Sequence, residues 1–444
     1  MNPLPDPAAP VLPADDSQRA ELHNEVHARP PARIRLPALV VYVAVLNRGV
    51  SREDELAHLR RLPGQQDLAA EQMQANFLRV RLAGHSLQWE RHSEFTRYSI
   101  VQPLPATALP GAVEPALLHA LAVDAAWLGA IPGRTVAAIK LAMAEQTLAD
   151  IDHTLSTARR WFGERAMVAS LMGGGHSCAA TDFRLQRNGF ERMLVLAPPG
   201  TSPSRAGRIS QRLLELETYR LMALRGLPVV KALAPMLADA EAALAGITAR
   251  LEDASASDQE LLATLTSLAA RVERATAEHG YRFSATEAYH TLVRQRIAEL
   301  RETPIPGTQT IGEFMQRRLS PAIATVAATA QRLASLSQRI ERAGALLRTR
   351  VDIATEAQNQ QLLAKLTRGQ ELQLRLQATV EGLSIAAISY YVVSLLLTVG
   401  KAAKAAGWPV EPEIAAGLAV PLVLWLVWRT TRRIHRRLRQ PDST

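Results

Sequence analysis

Residues 173–179, GGGHSCA, place a serine and the single cysteine of the chain directly after three glycines. The stretch GHSCA is close to the Gly-x-Ser-x-Gly elbow of serine hydrolases, in which a sharp strand-to-helix turn projects the serine. Here Ala179 replaces the last glycine, and the residues that follow predict a β-hairpin instead of a helix. We therefore interpret the glycines as a flexible connection and assign Ser177 no catalytic role. The glycines also lack the Lys-Ser/Thr of a phosphate-binding loop, so nucleotide binding is not predicted here.

The sequence HNEVH at 23–27 puts two imidazoles four residues apart, on one face of a predicted helix. Zinc can use that spacing. In the zincin pattern, however, a glutamate directly follows the first histidine, whereas Glu25 lies two residues after His23 and points to another face. Because no third ligand is apparent, we predict a packed or capping helix without metal. We find no catalytic constellation in the chain, and we expect neither an enzyme activity nor a cofactor.

Three hydroxyl side chains, Ser384, Tyr391 and Thr398, are spaced by seven residues in an apolar stretch near the C-terminus. On a helix they share one face, and such a face could line a hydrated pore in an oligomer. The alternative is that these hydroxyls bond to a neighbouring helix or to the preceding turn of their own helix. We favour the alternative, because the stretch contains no carboxylate that would mark an ion pathway.

The hydroxyls lie in one of two uncharged apolar segments, 383–400 and 414–428. A helix needs about 20 residues to cross the hydrocarbon core, with a range of roughly 17–25. The first segment meets that length, and Thr430 and Thr431 extend the second. A buried pair of core helices is the alternative, but neither segment has the polar face such helices show. We predict a transmembrane hairpin over 383–428.

A basic tail, 429–444, follows the second segment and predicts the topology of the hairpin. Its six arginines are Arg429, Arg432, Arg433, Arg436, Arg437 and Arg439, and the loop between the segments has only Lys401 and Lys404 as basic residues. Positive charge stays on the cytoplasmic side, so we expect the C-terminus and the large N-terminal part to be cytoplasmic. The N-terminal residues have no basic start and no apolar core, so no signal peptide is predicted. We expect a protein of the plasma membrane.

The overall charge of +9 in 444 residues would by itself suggest nucleic acid as a partner. The tail, however, holds six arginines and one aspartate, or +5, which leaves +4 for the other 428 residues. The basicity is therefore mostly a topology signal. We expect the tail to contact anionic lipid headgroups of the bilayer, and we expect no nucleic-acid partner. A single cysteine excludes a disulfide framework and fits a reducing compartment.

The part before the hairpin divides into three predicted regions. Residues 1–33 form a Pro/Ala-rich lead and a short helix over 15–29. Residues 34–203 form a mixed domain of the α+β or α/β class. Its predicted strands are 36–46, 76–82, 87–91, 95–101, 134–143, 166–171, 181–185 and 190–196, and its predicted helices are 51–62 and 114–122. Gly84 and Asn188-Gly189 each predict a hairpin turn.

Residues 204–382 carry long Ala/Leu/Glu/Arg helices and predict a helical bundle with a coiled-coil-like stalk. Four helices are expected before a break at 302–307, and they are 204–226, 232–252, 258–278 and 283–301. Beyond Pro321 there is no proline until the hairpin, and apolar residues recur at spacings of three and four from Leu319 to Ala354. One unbroken helix would be about 120 Å long at ~1.5 Å per residue. The alternative is several helices with turns near Gly344 or Gly369.

Four stretches together resemble a bacterial family, the domain-of-unknown-function 3422 family. They are NEVHARPP at 24–31, TDFRLQRNGFERMLV at 181–195, RISQRLLELETYRLMALRGLP at 208–228 and VEGLSIAAISYYVVSLL at 380–396. The resemblance covers nearly the whole chain. It implies a membrane-anchored protein and leaves the activity open.

The order of elements also resembles that of the CorA-type magnesium channels. The shared order is a cytoplasmic α/β domain, a long stalk helix, two C-terminal spans and a basic tail. The family's Gly-Met-Asn signature is missing, because residues 398–413 are TVGKAAKAAGWPVEPE. We therefore expect a membrane-anchored protein that forms a homo-oligomer through its stalk and spans. It is either a CorA-like ion channel or transporter that binds cations, or a membrane-tethered scaffold or regulatory binding protein without transport.

Overall fold

The fold is known from a computed structural model. It describes residues 16–19, 22–23, 30–73, 76–105, 121–163, 165–252, 257–407, 409 and 411–438. The chain has two compact units, one made of residues 1–254 and 263–343 and the other of 255–262 and 344–444. The expected helices 15–29 and 114–122 lie mostly outside the described residues.

The first unit is of the α+β class and is built on a nine-stranded sheet. In chain order the strands are β1 Ala38–Leu46, β2 Phe77–Leu82, β3 His85–Arg91, β4 Phe95–Pro103, β5 Arg134–Glu145, β6 Val168–Met172, β7 Ser177–Thr181, β8 Glu191–Ala197 and β9 Thr303–Pro304. Their spatial order is β2-β3-β4-β1-β5-β8-β7-β6-β9. All neighbours are antiparallel except β5 and β8, which are parallel. The hairpin predicted at Gly84 is confirmed as the turn between β2 and β3.

The hairpin expected around Asn188-Gly189 is only half right. Its second arm is β8, but the strand paired with β8 there is β7 at Ser177–Thr181, and of the expected strand 181–185 only Thr181 is in a strand. Phe183 has a left-handed φ of 48°, which no regular strand can contain. Gly173, Gly174 and Gly175 all have positive φ and form the turn from β6 to β7. The glycines therefore close a hairpin, and Ser177 begins a buried strand.

Helices cover both faces of the sheet. In chain order they are α1 Arg52–Leu59, α2 Ala125–Gly129, α3 Ile151–Trp161, α4 Pro203–Leu224, α5 Gly226–Glu252, α6 Asp258–Leu300, α7 Ile311–Arg318, α8 Ser320–Ala405 and α9 Pro412–Leu438. One buried core contains Trp89, Trp127 and Trp161. In it the helices α1, α2 and α3 pack against one face of the sheet. A second core, on the alternate side chains of the same strands, includes α4, α7 and the end of α6.

The long helices correct one expectation. The predicted helices 258–278 and 283–301 are one helix, α6, with Gly280 in its interior. One glycine costs about 1 kcal/mol in a helix, and α6 buries Val272, Phe283 and Val293 on both sides of it. Burial therefore outweighs the local preference for a break. Helix α8 likewise contains Gly344 and Gly369 without interruption.

Buried residues of α5 and α8 recur at spacings of three and four, as a helical bundle requires. In α5 they are Val230, Leu233, Leu237, Ala240, Leu244 and Ile247, and in α8 they include Leu333, Leu336, Ile340, Ala343 and Leu347. A β-carbon on Gly226 would lie 2.5 Å from Thr286 Oγ1 and 3.2 Å from a methyl of Val326. Helices α5, α6 and α8 therefore meet closely at that glycine.

Candidate functional site

Among the residues that the structure describes, three stretches of helix are long and apolar enough to cross a membrane: Pro203–Glu252, Ile311–Ala405 and Pro412–Arg433. In the first stretch, 33% of the 18 most apolar consecutive residues are buried inside the protein. Its helix α4 belongs to the second core of the sheet. In the other two the buried share is only 6% and 11%. The apolar side chains of these two are consequently exposed, with Leu383 75% and Leu418 76% accessible. An exposed apolar surface of this kind marks a binding or membrane surface.

The C-terminal end of α9 combines aromatic rings with guanidinium groups. The Arg429 guanidinium lies 4.9 Å from the centre of the Trp425 ring, and that of Arg432 lies 4.5 Å from the Trp428 ring. Arg433 is exposed. Arg436 and Arg437 belong to α9, whereas Arg439 lies outside the described residues. Tryptophan and arginine at one helix end are typical of a membrane–water interface.

At the other end of the two apolar segments, charges compensate one another. Lys404 Nζ lies 2.9 Å from Glu411 Oε1 across the loop between α8 and α9. Of the two lysines between the apolar segments, Lys401 and Lys404, one is therefore paired with a carboxylate. The contrast in positive charge between the loop and the arginine end is larger than the count of basic residues alone indicates.

The three hydroxyls predicted to share a face lie on α8. Ser384 Oγ donates to the carbonyl oxygen of Val380, and Thr398 Oγ1 donates to that of Ser394, both at 2.8 Å. Tyr391 is 72% exposed, and its ring lies edge-on to that of Tyr390. Two of the three hydroxyl hydrogens are thus used within the helix itself, as in the preceding-turn alternative.

The other sequence candidates lie apart from one another. His23 is exposed, and His27 lies outside the described residues. Among the described residues, no group of three or more His, Cys, Asp or Glu side chains could hold a metal ion. Ser177 is fully buried in β7, and beside it burial raises the pKa of Cys178 to about 12. A thiol with that pKa is not a nucleophile at neutral pH.

A buried ion-pair network crosses from the sheet to the helices, and sequence reasoning missed it. Arg97 on β4 pairs with Glu90 on β3 and, at 3.0 Å, with Glu215 on α4. Arg296 on α6 donates to the other oxygen of Glu215 at 2.6 Å. Burial would raise the pKa of Glu215, but the charges of Arg97 and Arg296 and the hydrogen bonds from Arg97 and Gln211 together hold that pKa below its usual range. Every one of these charges has a partner, so the network joins sheet and helices and offers no free group for chemistry.

A second buried cluster contains an excess carboxyl group. Glu217 on α4 accepts from Arg220 through both oxygens, and Glu191 at the start of β8 lies 3.7 Å from the same guanidinium. Burial, followed by the negative charge of Glu217, raises the pKa of Glu191 to about 8. Glu191 therefore holds a proton at neutral pH. The cavity beside Glu217 has a volume of about 10 Å³, close to the room needed for one water, so no substrate fits there.

One family model matches the chain, over residues 14–438, and its description is "Protein of unknown function (DUF3422)". No curated protein matches the chain.

Proposed function

This chain belongs to the DUF3422 family of proteins of unknown function, and from that premise we propose that it is a membrane-tethered protein. The apolar part of α8 and helix α9 cross the bacterial inner membrane as a hairpin. The α+β domain and the helical bundle remain in the cytoplasm as a scaffold or regulatory binding module. The observation that carries the proposal is the exposure of two uncharged apolar helical segments that the protein's own core does not cover.

The lengths of the two segments support a crossing. Residues 383–400 would span about 27 Å at ~1.5 Å per residue, close to the ~30 Å of a hydrocarbon core. Residues 414–428 are shorter, but the hydroxyls of Thr430 and Thr431 donate to carbonyl oxygens of their own helix. Because those donors are satisfied internally, both threonines can lie in lipid at little cost. With the Arg429 side chain extending toward the headgroups, the second segment then reaches about the length of the first.

Charge supports the orientation. Between the segments, Lys404 is paired with Glu411. After the second segment come Arg429, Arg432 and Arg433, and residues 429–438 contain no Asp or Glu. Under the positive-inside rule the arginine end is cytoplasmic. Two crossings return the N-terminal part to the same side. Anionic lipid headgroups are the natural counter-charges for the arginines.

We propose that the tether is also a homo-oligomer, formed along the part of α8 that precedes the membrane. Leu362, Leu366, Leu376 and Val380 are all more than half exposed there, and their spacings of four, ten and four residues place them on one face of the helix. A second copy of the same helix offers the complementary stripe. Crosslinking through Leu366→Cys in a Cys178→Ser background should give a covalent dimer, and Glu371→Cys, which is exposed on the opposite face of the same helix, should not.

Alkaline extraction tests the tether. Membranes carrying the full-length protein are washed with sodium carbonate at high pH and then with detergent. The proposal requires the protein to stay in the membrane pellet through carbonate and to leave only with detergent. Release by carbonate would mean that the apolar segments cover a protein surface instead of crossing the bilayer.

A CorA-like cation channel is the second candidate. The favouring observation is that α8 is one helix from Ser320 to Ala405, so the same helix carries bundle residues and the first apolar segment. Purified protein in liposomes should then pass cations, and Tyr391→Leu should reduce the flux more than Tyr390→Leu does. Absence of flux for every tested cation, or a monomer in detergent, would remove this candidate and leave the tether.

A further inference from the structure

A cleft of about 700 Å³ opens at one end of the sheet. Its walls are the chain that enters β1, the turn between β2 and β3, the end of β4 and the first residue of α4. Four basic side chains line it, Arg33, Arg35, Arg81 and His85, and we call it the arginine cleft. The volume falls in the range of roughly 300–1,000 Å³ that small-molecule sites occupy.

The charges of the arginine cleft are uncompensated. No carboxylate is among its described lining residues, and the guanidiniums of Arg33, Arg35 and Arg81 make no hydrogen bond or ion pair with any part of the chain the structure describes. Arg79, two residues earlier on β2, behaves differently, because it donates to the carbonyl oxygens of Pro30 and Pro31. Arg79 is thus held by the protein, and the three arginines of the cleft are free for a ligand.

His85 supplies a second, independent sign of a missing partner. Its Nδ1 lies 3.2 Å from the carbonyl oxygen of Ala83. Its Nε2 is buried and has no hydrogen-bond partner among the described residues. A buried polar atom normally has a partner. With Nδ1 donating to the carbonyl, the imidazolium form also donates from Nε2, and an anionic oxygen in the arginine cleft would accept that hydrogen bond.

The walls of the cleft are fixed before any ligand arrives. Arg81 is paired with Ser86, and Ser86 with Val101, in the registers of β2, β3 and β4. Ile34 is 1% exposed and its amide donates to the carbonyl oxygen of Pro203 at 3.0 Å. Because Ile34 is buried, Arg33 and Arg35 on either side of it lie outward, and both are exposed. A site that is already formed loses less free energy on binding.

We propose that the arginine cleft binds a small soluble molecule that carries a diphosphate or two phosphate groups. Guanidinium groups bind phosphate through two parallel hydrogen bonds, and three of them with an imidazole balance two to three negative charges. One carboxylate would leave most of that charge unpaired. Leu36, Pro37 and Pro203 add an apolar wall against which an organic part of the ligand can pack.

Calorimetric titration of the full-length protein in a neutral detergent tests the proposal, with inorganic pyrophosphate as the probe. Pyrophosphate should bind, and Arg35→Gln and Arg81→Gln should each weaken it by about tenfold, since each removes charge-assisted hydrogen bonds. Arg134→Gln removes the same charge from an exposed position at the opposite end of β5 and should leave the affinity unchanged. Circular dichroism checks that the variants remain folded.

Two further titrations identify the source of the phosphate. Dihexanoyl phosphatidylglycerol represents a lipid headgroup, and a short single-stranded RNA represents a nucleic acid. Binding of either one in place of pyrophosphate would overturn the proposal, as would absence of pyrophosphate binding at millimolar concentrations or equal affinity in the wild type and Arg81→Gln. The outcome does not depend on membrane insertion, so it leaves the proposed tether untouched.

Discussion

The carbonyl oxygen of Ala32 occupies the space that a β-carbon on Gly207 would need, only 1.6 Å from its ideal position. Gly207 lies in α4, and Ala32 belongs to the segment that leads into β1 and carries Arg33 and Arg35. The contact therefore sets how closely this segment approaches the helix. It is a backbone requirement that places two of the arginines of the arginine cleft.

Gly207→Ala should consequently destabilise the protein. The new methyl group would meet backbone, which cannot move aside as a flexible side chain can, and overpacking of this kind costs roughly 1–3 kcal/mol or more. Gly246→Ala in α5 is the matched control, since nothing lies within 4 Å of its β-carbon position. That change should be neutral or stabilise the helix by about 0.5–1 kcal/mol. Urea denaturation of both variants measures the difference, and equal stabilities would contradict the close approach.

Glu191 should make the stability of the protein depend on pH. Its pKa is raised from 4.5 to about 8 in the folded protein, by burial first and then by Glu217, so the folded state binds the proton more tightly than the unfolded state. The contribution of Glu191 to stability is fully present below about pH 4.5 and is lost as the pH rises through about 8. The slope for one proton is at most about 1.4 kcal/mol per pH unit.

Glu191→Gln cannot ionise and should remove that part of the pH dependence. Denaturation is measured from pH 5 to pH 8 for the wild type, for Glu191→Gln and for Glu341→Gln, whose side chain is exposed. The wild type and Glu341→Gln should lose stability relative to Glu191→Gln as the pH rises. Parallel curves for all three proteins would show that Glu191 is ionised in the folded state at neutral pH.

The buried and exposed ion pairs of the chain should differ in their effect on stability. Arg97→Gln leaves the carboxylates of Glu90 and Glu215 without their shared buried partner, and breaking a buried pair costs about 3–5 kcal/mol. Arg332 pairs with Glu241 at 2.8 Å, but both side chains are at least one-third exposed. Arg332→Gln should cost less than about 1 kcal/mol. Similar losses in urea denaturation would mean that water reaches the Arg97 network.

Alternation and turn residues predicted most of the sheet. Strand β1 is predicted by its run of apolar and β-branched residues. The β2–β3 hairpin is predicted by Gly84, which adopts a φ of 79° in the turn. Strand β7 gave no such signal, because SCAAT consists of small residues that are buried on both faces. Helix α3 was not predicted either. Its capping residue, Asp150, does bond to the amide of His153, and that signal is present in the sequence.

The charged clusters could not have been found from spacing along the chain. Glu191 and Glu217 meet only because α4 packs against β8. Arg97 and Glu215 are 118 residues apart in the sequence. The arginine cleft likewise depends on the tertiary fold, which brings Arg33 and Arg35, before β1, next to Arg81 on β2. By contrast, the apolar hairpin segments and the basic tail are local patterns, and they were visible in the sequence alone.

Thiol labelling tests the central claim, that 383–428 is a transmembrane hairpin with both flanks in the cytoplasm. In a Cys178→Ser background, Glu411→Cys marks the loop between α8 and α9, and Gln373→Cys marks α8 before the first apolar segment; both residues are exposed. A membrane-impermeant maleimide is added to intact spheroplasts and then to lysed ones. The account predicts that Glu411→Cys is labelled in intact spheroplasts and Gln373→Cys only after lysis. Protection of both positions until lysis, or labelling of Gln373→Cys alone, would contradict it.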